Sequence, residues 1–169
     1  MRWYQTPQAA VIWTVMRVWL GIQWLEAGLH KVTGEFDASG FLQGALAKAT
    51  GENPAVQGWY AAFLENVAIP NVKLFNILIP YGEVLVGVGL IIGAATIPAL
   101  LAGAFMNLNF LLAGTVSTNP VLLTAAVILL FVRAGAYYFG VDRFAIPALK
   151  QYIGQRRTRT TQQKRAAAH

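Results

Sequence analysis

From Val84 to Val132 the chain carries no charged side chain. As one helix this run would be about 73 Å long, more than twice the roughly 30 Å of a bilayer's hydrocarbon core, so it must fold back on itself. Two breakers stand inside it, Gly93-Ala94-Ala95-Thr96-Ile97-Pro98 and Thr115-Val116-Ser117-Thr118-Asn119-Pro120. Pro98 and Pro120 each suit a first helical turn, where a missing N–H is tolerated. Cutting there predicts spans over 77–95, 98–115 and 121–139. A fourth lies upstream over 11–29 and contains Arg17 and Glu26. Each is close to the roughly 20 residues that a crossing needs. The expected fold is all-α, an integral membrane four-helix bundle. No small-x-small cleavage site precedes His30-Lys31, which reads against a cleaved signal peptide.

The stretch from Lys31 to Lys73 is too long for a plain connection. Asp37 or Ser39 is expected to cap a short helix bearing Phe41, Leu42, Ala45, Leu46 and Ala49. Asn53-Pro54 is expected to open a second, with Val56, Trp59, Tyr60, Phe63 and Val67 as its apolar stripe. Both are expected to lie on the outer membrane face, as a cap over the bundle or as a substrate lid.

Charge fixes the orientation. Lys and Arg number 13 against 7 acidic residues, a net +6, and seven of those cations follow residue 142: Arg143, Lys150, Arg156, Arg157, Arg159, Lys164 and Arg165. Both termini are therefore expected in the cytoplasm, with the long first loop extracytoplasmic. The basic excess is a juxtamembrane tail that meets anionic lipid headgroups, and no nucleic-acid partner is expected. The chain divides into a four-span domain over 1–153 and a tail over 154–169 that lacks apolar periodicity and is expected to be disordered. With no Cys in the sequence, disulfides, thiolate chemistry and Cys-ligated metal centres are excluded.

Ionisable groups within a membrane cost at least about 2.5–3.5 kcal/mol each, so each requires a reason. Measured from the middle of each span, Arg17, Glu83, Asn107 and Arg133 fall in one central layer. The expectation is a Glu83-centred network with Arg17 and Arg133, serving either as interhelical glue or as a ligand or proton-path site. Gln23, Glu26 and His30 share one helical face at the outer end of the first span. Arg17 and Glu26, nine residues apart, point in opposite directions and belong to different sites. Too few ligands converge for a metal site, and none is predicted. Gly89-x-x-x-Gly93 and the series Ala95, Ala99, Gly103 are expected to bring helices close together.

Several motifs combine in this order: Arg17…Gly21…Gly28…Lys31, then Pro80-Tyr81-Gly82-Glu83-Val84-Leu85-Val86-Gly87, then Met106-Asn107-Leu108-Asn109-Phe110 through Gly114 with Ser117-Thr118-Asn119-Pro120, and last Ala134-Gly135 through Gly140-Val141-Asp142-Arg143. Over about residues 10–150 this resembles the DoxX/DoxD family of small four-helix membrane proteins. The resemblance implies a membrane subunit of a quinone-linked redox complex, similar to thiosulfate:quinone oxidoreductase. It implies a bound quinone, no covalent cofactor, and partner subunits in the same membrane. A chain without Cys or a nucleotide motif does not carry electrons alone, so an autonomous redox enzyme is not expected. A non-catalytic accessory or assembly subunit is the second reading, and a small transporter or channel the third.

Overall fold

A computed structural model describes the backbone of residues 3–166 and, Ala134 apart, the side chains of residues 3–154. The regular elements among these residues are all helices, with no strand among them. A short 3₁₀ turn over Trp3–Gln5 precedes α1, Pro7–Thr33. Thr6 caps α1, its Oγ1 accepting the Ala9 N–H at 3.3 Å, and Pro7 occupies the first turn. The outer segment holds α2, Ala38–Ala47, and α3, Gly58–Phe63, which continues into a π-helical turn over Leu64–Ala68. Next come α4 (Val72–Ile92), α5 (Thr96–Leu112) and α6 (Asn119–Val132). A single turn, α7 (Ala134–Tyr137), and a terminal helix, α8 (Asp142–Ala166), complete the chain.

The closest pairing is α1 against α4, antiparallel. Glycine makes it possible. A Cβ on Gly28 would lie 2.7 Å from the Val84 nitrogen, and one on Gly87 would lie 2.6 Å from the Leu25 nitrogen. Gly21 is equally tight against the Gly87 carbonyl. The glycines that matter most are thus Gly21, Gly28 and Gly87, whereas Gly89 faces the α4–α5 turn. Around this pair, Leu20, Leu90, Leu100 and Leu129 are fully buried in the main core. A second core beneath the outer segment joins Leu42, Val56, Tyr60, Leu64 and Ala68 to Ala113 at the end of α5.

Among the described residues, eight α-helices stand where four spans and two short helices are expected from the sequence. The first three spans lie largely within α1, α4 and α5, with α4 beginning earlier than predicted and α5 ending earlier. The span predicted over 121–139 is broken, because α6 stops at Val132 and Arg133 turns to φ 46. Gly135 stands two residues on, but the bonds from Arg17 to the Ala136 and Phe139 carbonyls of the turn that follows hold the break. Asp37 caps α2 as expected, accepting the Ser39 N–H at 3.0 Å. The second outer helix starts at Gly58 instead of Asn53-Pro54. Its buried line runs Val56, Tyr60, Leu64, Ala68, and Trp59 and Val67 are left exposed. Residues 154–166, expected to be disordered, continue α8. Lys, Arg, Gln and Ala favour helix locally, and periodicity reports packing only. Residues 167–169 of that tail lie outside the described residues.

The outward faces are apolar. Ile12, Val15, Leu85, Phe105, Val127 and Phe131 are all more than half exposed. Among the described residues, α4 is long and apolar enough to cross a membrane, while α5 and α6 are apolar but shorter.

Candidate functional site

Where α1 and α4 touch at Gly28, Glu83 enters the interior with only 2% of its side chain exposed. Lys31 meets it one turn further along α1. The ammonium donates to Oε2 at 2.7 Å and to Oε1 at 2.9 Å, so both carboxylate oxygens are engaged. The cation sits in the last turn of α1, where the helix dipole favours it. Its remaining exposure is 28%, toward a cavity of about 390 Å³.

That cavity gathers residues from six segments. Gln23, Trp24, Glu26, His30 and Lys31 come from α1, and Ile79 and Glu83 from α4. Phe36 and Phe41 close it from the outer segment and Phe110 from α5. The α5–α6 turn contributes Thr115, Ser117 and Thr118, and α6 adds Asn119 and Leu122. Ser117 is held at φ 37, a left-handed conformation that non-glycine residues adopt at a cost. The cavity therefore joins aromatic walls, an ion pair and a hydroxyl and amide rim. Deeper in, the Trp24 indole nitrogen has no hydrogen-bond acceptor among the described residues; it lies about 3.1 Å from where a Gly103 Cβ would stand. Asn107, one turn further along that face of α5, is fully buried, and neither amide atom has a partner among the described residues. Buried groups of this kind ordinarily have partners, so two unsatisfied groups mark a place that takes water or a polar ligand.

The Glu83-centred network with Arg17 and Arg133 does not form. Gly28 packs against Glu83, and Arg17 lies eleven residues away on α1, about 16 Å along the axis and beyond side-chain reach. Arg17 is buried at the opposite end, donating through Nη1 to the Ala136 carbonyl at 3.0 Å and through Nη2 to the Phe139 carbonyl at 2.8 Å. Gly93 and Gly140 pack on its guanidinium. Arg133 is exposed at the α6–α7 break. The single central layer is thus two separate regions. One unites Glu83 with Gln23, Glu26 and His30; the other holds Arg17. Arg17 and Glu26 lie in different regions of the fold, Arg17 against the carbonyls of Ala136 and Phe139 and Glu26 at the Lys31–Glu83 cavity.

A scan of protein families matches residues 12–116 to the DoxX model, well over half the chain. The chain belongs to the DoxX family. No curated protein and no solved structure matches it. The matched stretch of this DoxX protein contains Arg17, Lys31, Glu83 and Asn107, whereas Arg133 and Asp142 lie beyond it. Membership makes it a membrane protein of the DoxX type.

Sequence reasoning missed Lys31 as the partner of Glu83, and it missed the Thr115–Asn119 turn as a wall. Both were visible among the motifs, Lys31 closing the Arg17…Gly21…Gly28 series and Ser117-Thr118-Asn119 preceding Pro120. No cluster of three or more His, Cys, Asp or Glu side chains among the described residues is arranged to hold a metal. Chemically, the outer cavity of this DoxX protein offers a cation, a buried carboxylate and hydrogen-bond donors beside aromatic faces. Such a set is chemically suited to hydrogen bonding and to proton exchange.

Proposed function

We propose that this chain is the membrane subunit of a quinone-linked redox complex and that the Lys31–Glu83 cavity receives the quinone headgroup. The observation that carries the reading is the ion pair: a buried carboxylate and a part-exposed ammonium sit in one cavity with Trp24, Phe36, Phe41 and Phe110. The Lys31 ammonium suits a carbonyl oxygen of a quinone ring, and the aromatic walls suit its faces. A bound quinone supplies two-electron, two-proton chemistry. The chain's own residues orient the ring and handle protons. Lys31 donates toward the ring, Glu83 holds the counter-charge, and the exposed Glu26 and His30 exchange protons with outer water. Electrons come from a partner subunit, since the sequence contains no Cys.

The same proposal places α1, α4, α5 and α6 across the cell membrane, both termini in the cytoplasm and α2 and α3 on the outer face. The apolar, exposed faces of these helices support it, because lipid replaces water as their solvent. A second reading, a non-catalytic accessory subunit, draws support from an apolar groove of about 870 Å³ between α1 and α6, lined by Val11, Val15, Trp19, Val121 and Ile128. A helix of a partner fits such a groove.

The test is purification in mild detergent followed by solvent extraction. Bound quinone is expected with the wild type, lost in Lys31→Met and retained in Arg17→Lys. The purified chain alone is expected not to reduce a quinone with thiosulfate. Absence of quinone from the wild type, together with no binding of added quinone, would leave the accessory reading.

A further inference from the structure

The cavity at Lys31 and Glu83 has an apolar neighbour of about 290 Å³, and Phe41, Ile79 and Phe110 line both. Phe41 and Phe110 meet edge to face, their ring centroids 5.9 Å apart, and with Ile79 they form a wall common to the two spaces. The neighbour lies beneath α3 and the α4–α5 seam. Its polar groups are already satisfied, the Tyr60 hydroxyl donating to the Asn109 side-chain oxygen at 3.1 Å. An apolar space with no free hydrogen-bonding group at its wall stays dry and takes hydrocarbon. On the other side, Leu78 and Phe105 line it while remaining 56% and 68% exposed, so it opens onto the apolar outer surface of the bundle.

A polar-walled cavity joined through an aromatic partition to an apolar slot matches an amphiphile with a compact head and one long chain. We infer that the slot under α3 holds the hydrocarbon tail of the quinone, and that the α4–α5 seam at Leu78 and Phe105 is its lateral entrance from the bilayer. This rests on the headgroup reading of the Lys31–Glu83 cavity and adds to it a tail site and a route. The volume accommodates on the order of ten methylene-sized groups. The head then stands by the ion pair, the first part of the chain passes between Phe41 and Phe110, and the remainder returns to lipid past Leu78.

The test measures the affinity of the full chain, in phosphatidylcholine nanodiscs, for two probes: a dimethoxy-methyl benzoquinone without a tail, and the same ring bearing a decyl chain. Comparing each probe between wild type and variant cancels its partition into lipid. Leu78→Trp, at an exposed position, and Phe63→Trp, further inside, narrow the slot without touching the ion pair. The expected result is a loss of at least about tenfold in decyl-quinone affinity in both variants, with tail-less affinity within about twofold. The tail-less probe thereby reports that the variants are folded. Equal, small effects on both probes would overturn the tail site and leave the headgroup reading standing. Failure of the wild type to bind either probe would overturn the headgroup reading and this inference with it. A phospholipid that native mass spectrometry finds retained, and that decyl-quinone does not displace, would assign the slot to lipid and overturn the inference alone.

Discussion

Asp142 caps a helix to which it does not belong, and Thr96 is the residue it holds. Oδ2 accepts the Thr96 N–H at 2.6 Å and Oδ1 accepts that of Ala95 at 2.8 Å. The Asp142 N–H in turn donates to the Gly93 carbonyl at 2.9 Å. Ala95 lies at φ 49, and α5 has no side-chain cap from its own N-cap residue. A carboxylate at the positive end of the helix dipole supplies what that terminus lacks. Charge-assisted bonds of this kind contribute about 1.5–3 kcal/mol. Asp142→Ala is therefore expected to lower stability by about 2–3 kcal/mol and Asp142→Asn by less, read as melting temperature in detergent. Equal melting of all three proteins would remove the cap from the account.

How much of this was legible depends on which forces set each feature. The Asp37 cap and the turns at Gly93–Pro98 and Thr115–Pro120 follow from local chemistry, and the sequence shows them. The Glu83 partner does not follow from depth alone, because centring each span separately ignores the register between helices. Gly28 and Gly87 set that register by letting backbones touch, and aligning them brings Glu83 to Lys31. The break at Arg133 is a tertiary effect: Arg17, far away in sequence, holds the carbonyls of Ala136 and Phe139. The π turn at Leu64–Ala68 likewise has no local breaker to announce it.

The guanidinium of Arg17 is a fork between two carbonyls, Ala136 and Phe139. Lysine presents one compact ammonium and does not span that pair. Arg17→Lys is expected to speed amide exchange in α7 while leaving ligand binding at the Lys31–Glu83 cavity unchanged, since the two regions are about 16 Å apart along α1. Gly93→Ala is expected to disturb the same end. Gly93 adopts φ 67, and a Cβ there would meet the Arg17 Nη1 at 2.5 Å. Loss of cavity binding in Arg17→Lys would show that the regions are coupled.

The Lys31–Glu83 pair is unequal in exposure, and its single variants should be unequal too. Lys31→Met strands a carboxylate whose side chain is 2% exposed. The expected cost approaches the 3–5 kcal/mol, roughly, of an uncompensated buried charge. Glu83→Gln strands an ammonium that is 28% exposed and free to turn toward water, so its cost is expected to stay near 1–2 kcal/mol, roughly. The double variant, Lys31→Met with Glu83→Gln, is expected to recover most of the loss in Lys31→Met. Thermal melts of the four proteins form the cycle, and equal costs for the two single variants would contradict the asymmetry.

Asp37 ties α2 to α4 and carries a pH signature. The Ser39 N–H, the Ser39 hydroxyl and the Asn76 amide all donate to its carboxylate, which holds its pKa below the ordinary aspartate value. Asn76 also accepts the Ala38 N–H at 2.8 Å. A depressed pKa means that the contribution is complete above the unfolded value of about 3.9 and disappears as pH falls through the lower folded value. Amide exchange in the first turn of α2 is expected to rise as pH drops below about 4, after correction for the intrinsic rate. Asp37→Ala is expected to show fast exchange at every pH. A flat profile in the wild type would remove the carboxylate from the link.

Topology gives the last prediction. Exposed apolar side chains on α4 run from Leu74 through Ile77, Leu78, Leu85 and Val88 to Ile92. Eighteen residue steps cover about 27 Å, close to the thickness of a hydrocarbon core. Lys73 bounds this band at one end, and Arg143 and Lys150 lie in the sequence that follows the other crossings. With the Lys and Arg excess beyond residue 142, the end carrying α8 is expected in the cytoplasm and the end carrying α2 outside. The sequence has no Cys, so single cysteines introduced at Ser39 and at Thr160 report without background. A membrane-impermeant maleimide is expected to label Ser39→Cys in intact cells and Thr160→Cys only after lysis. Labelling of Thr160→Cys in intact cells would invert the protein in the membrane. It would also move the Lys31–Glu83 cavity to the cytoplasmic face, where its protons would come from the cell interior instead of the outer water.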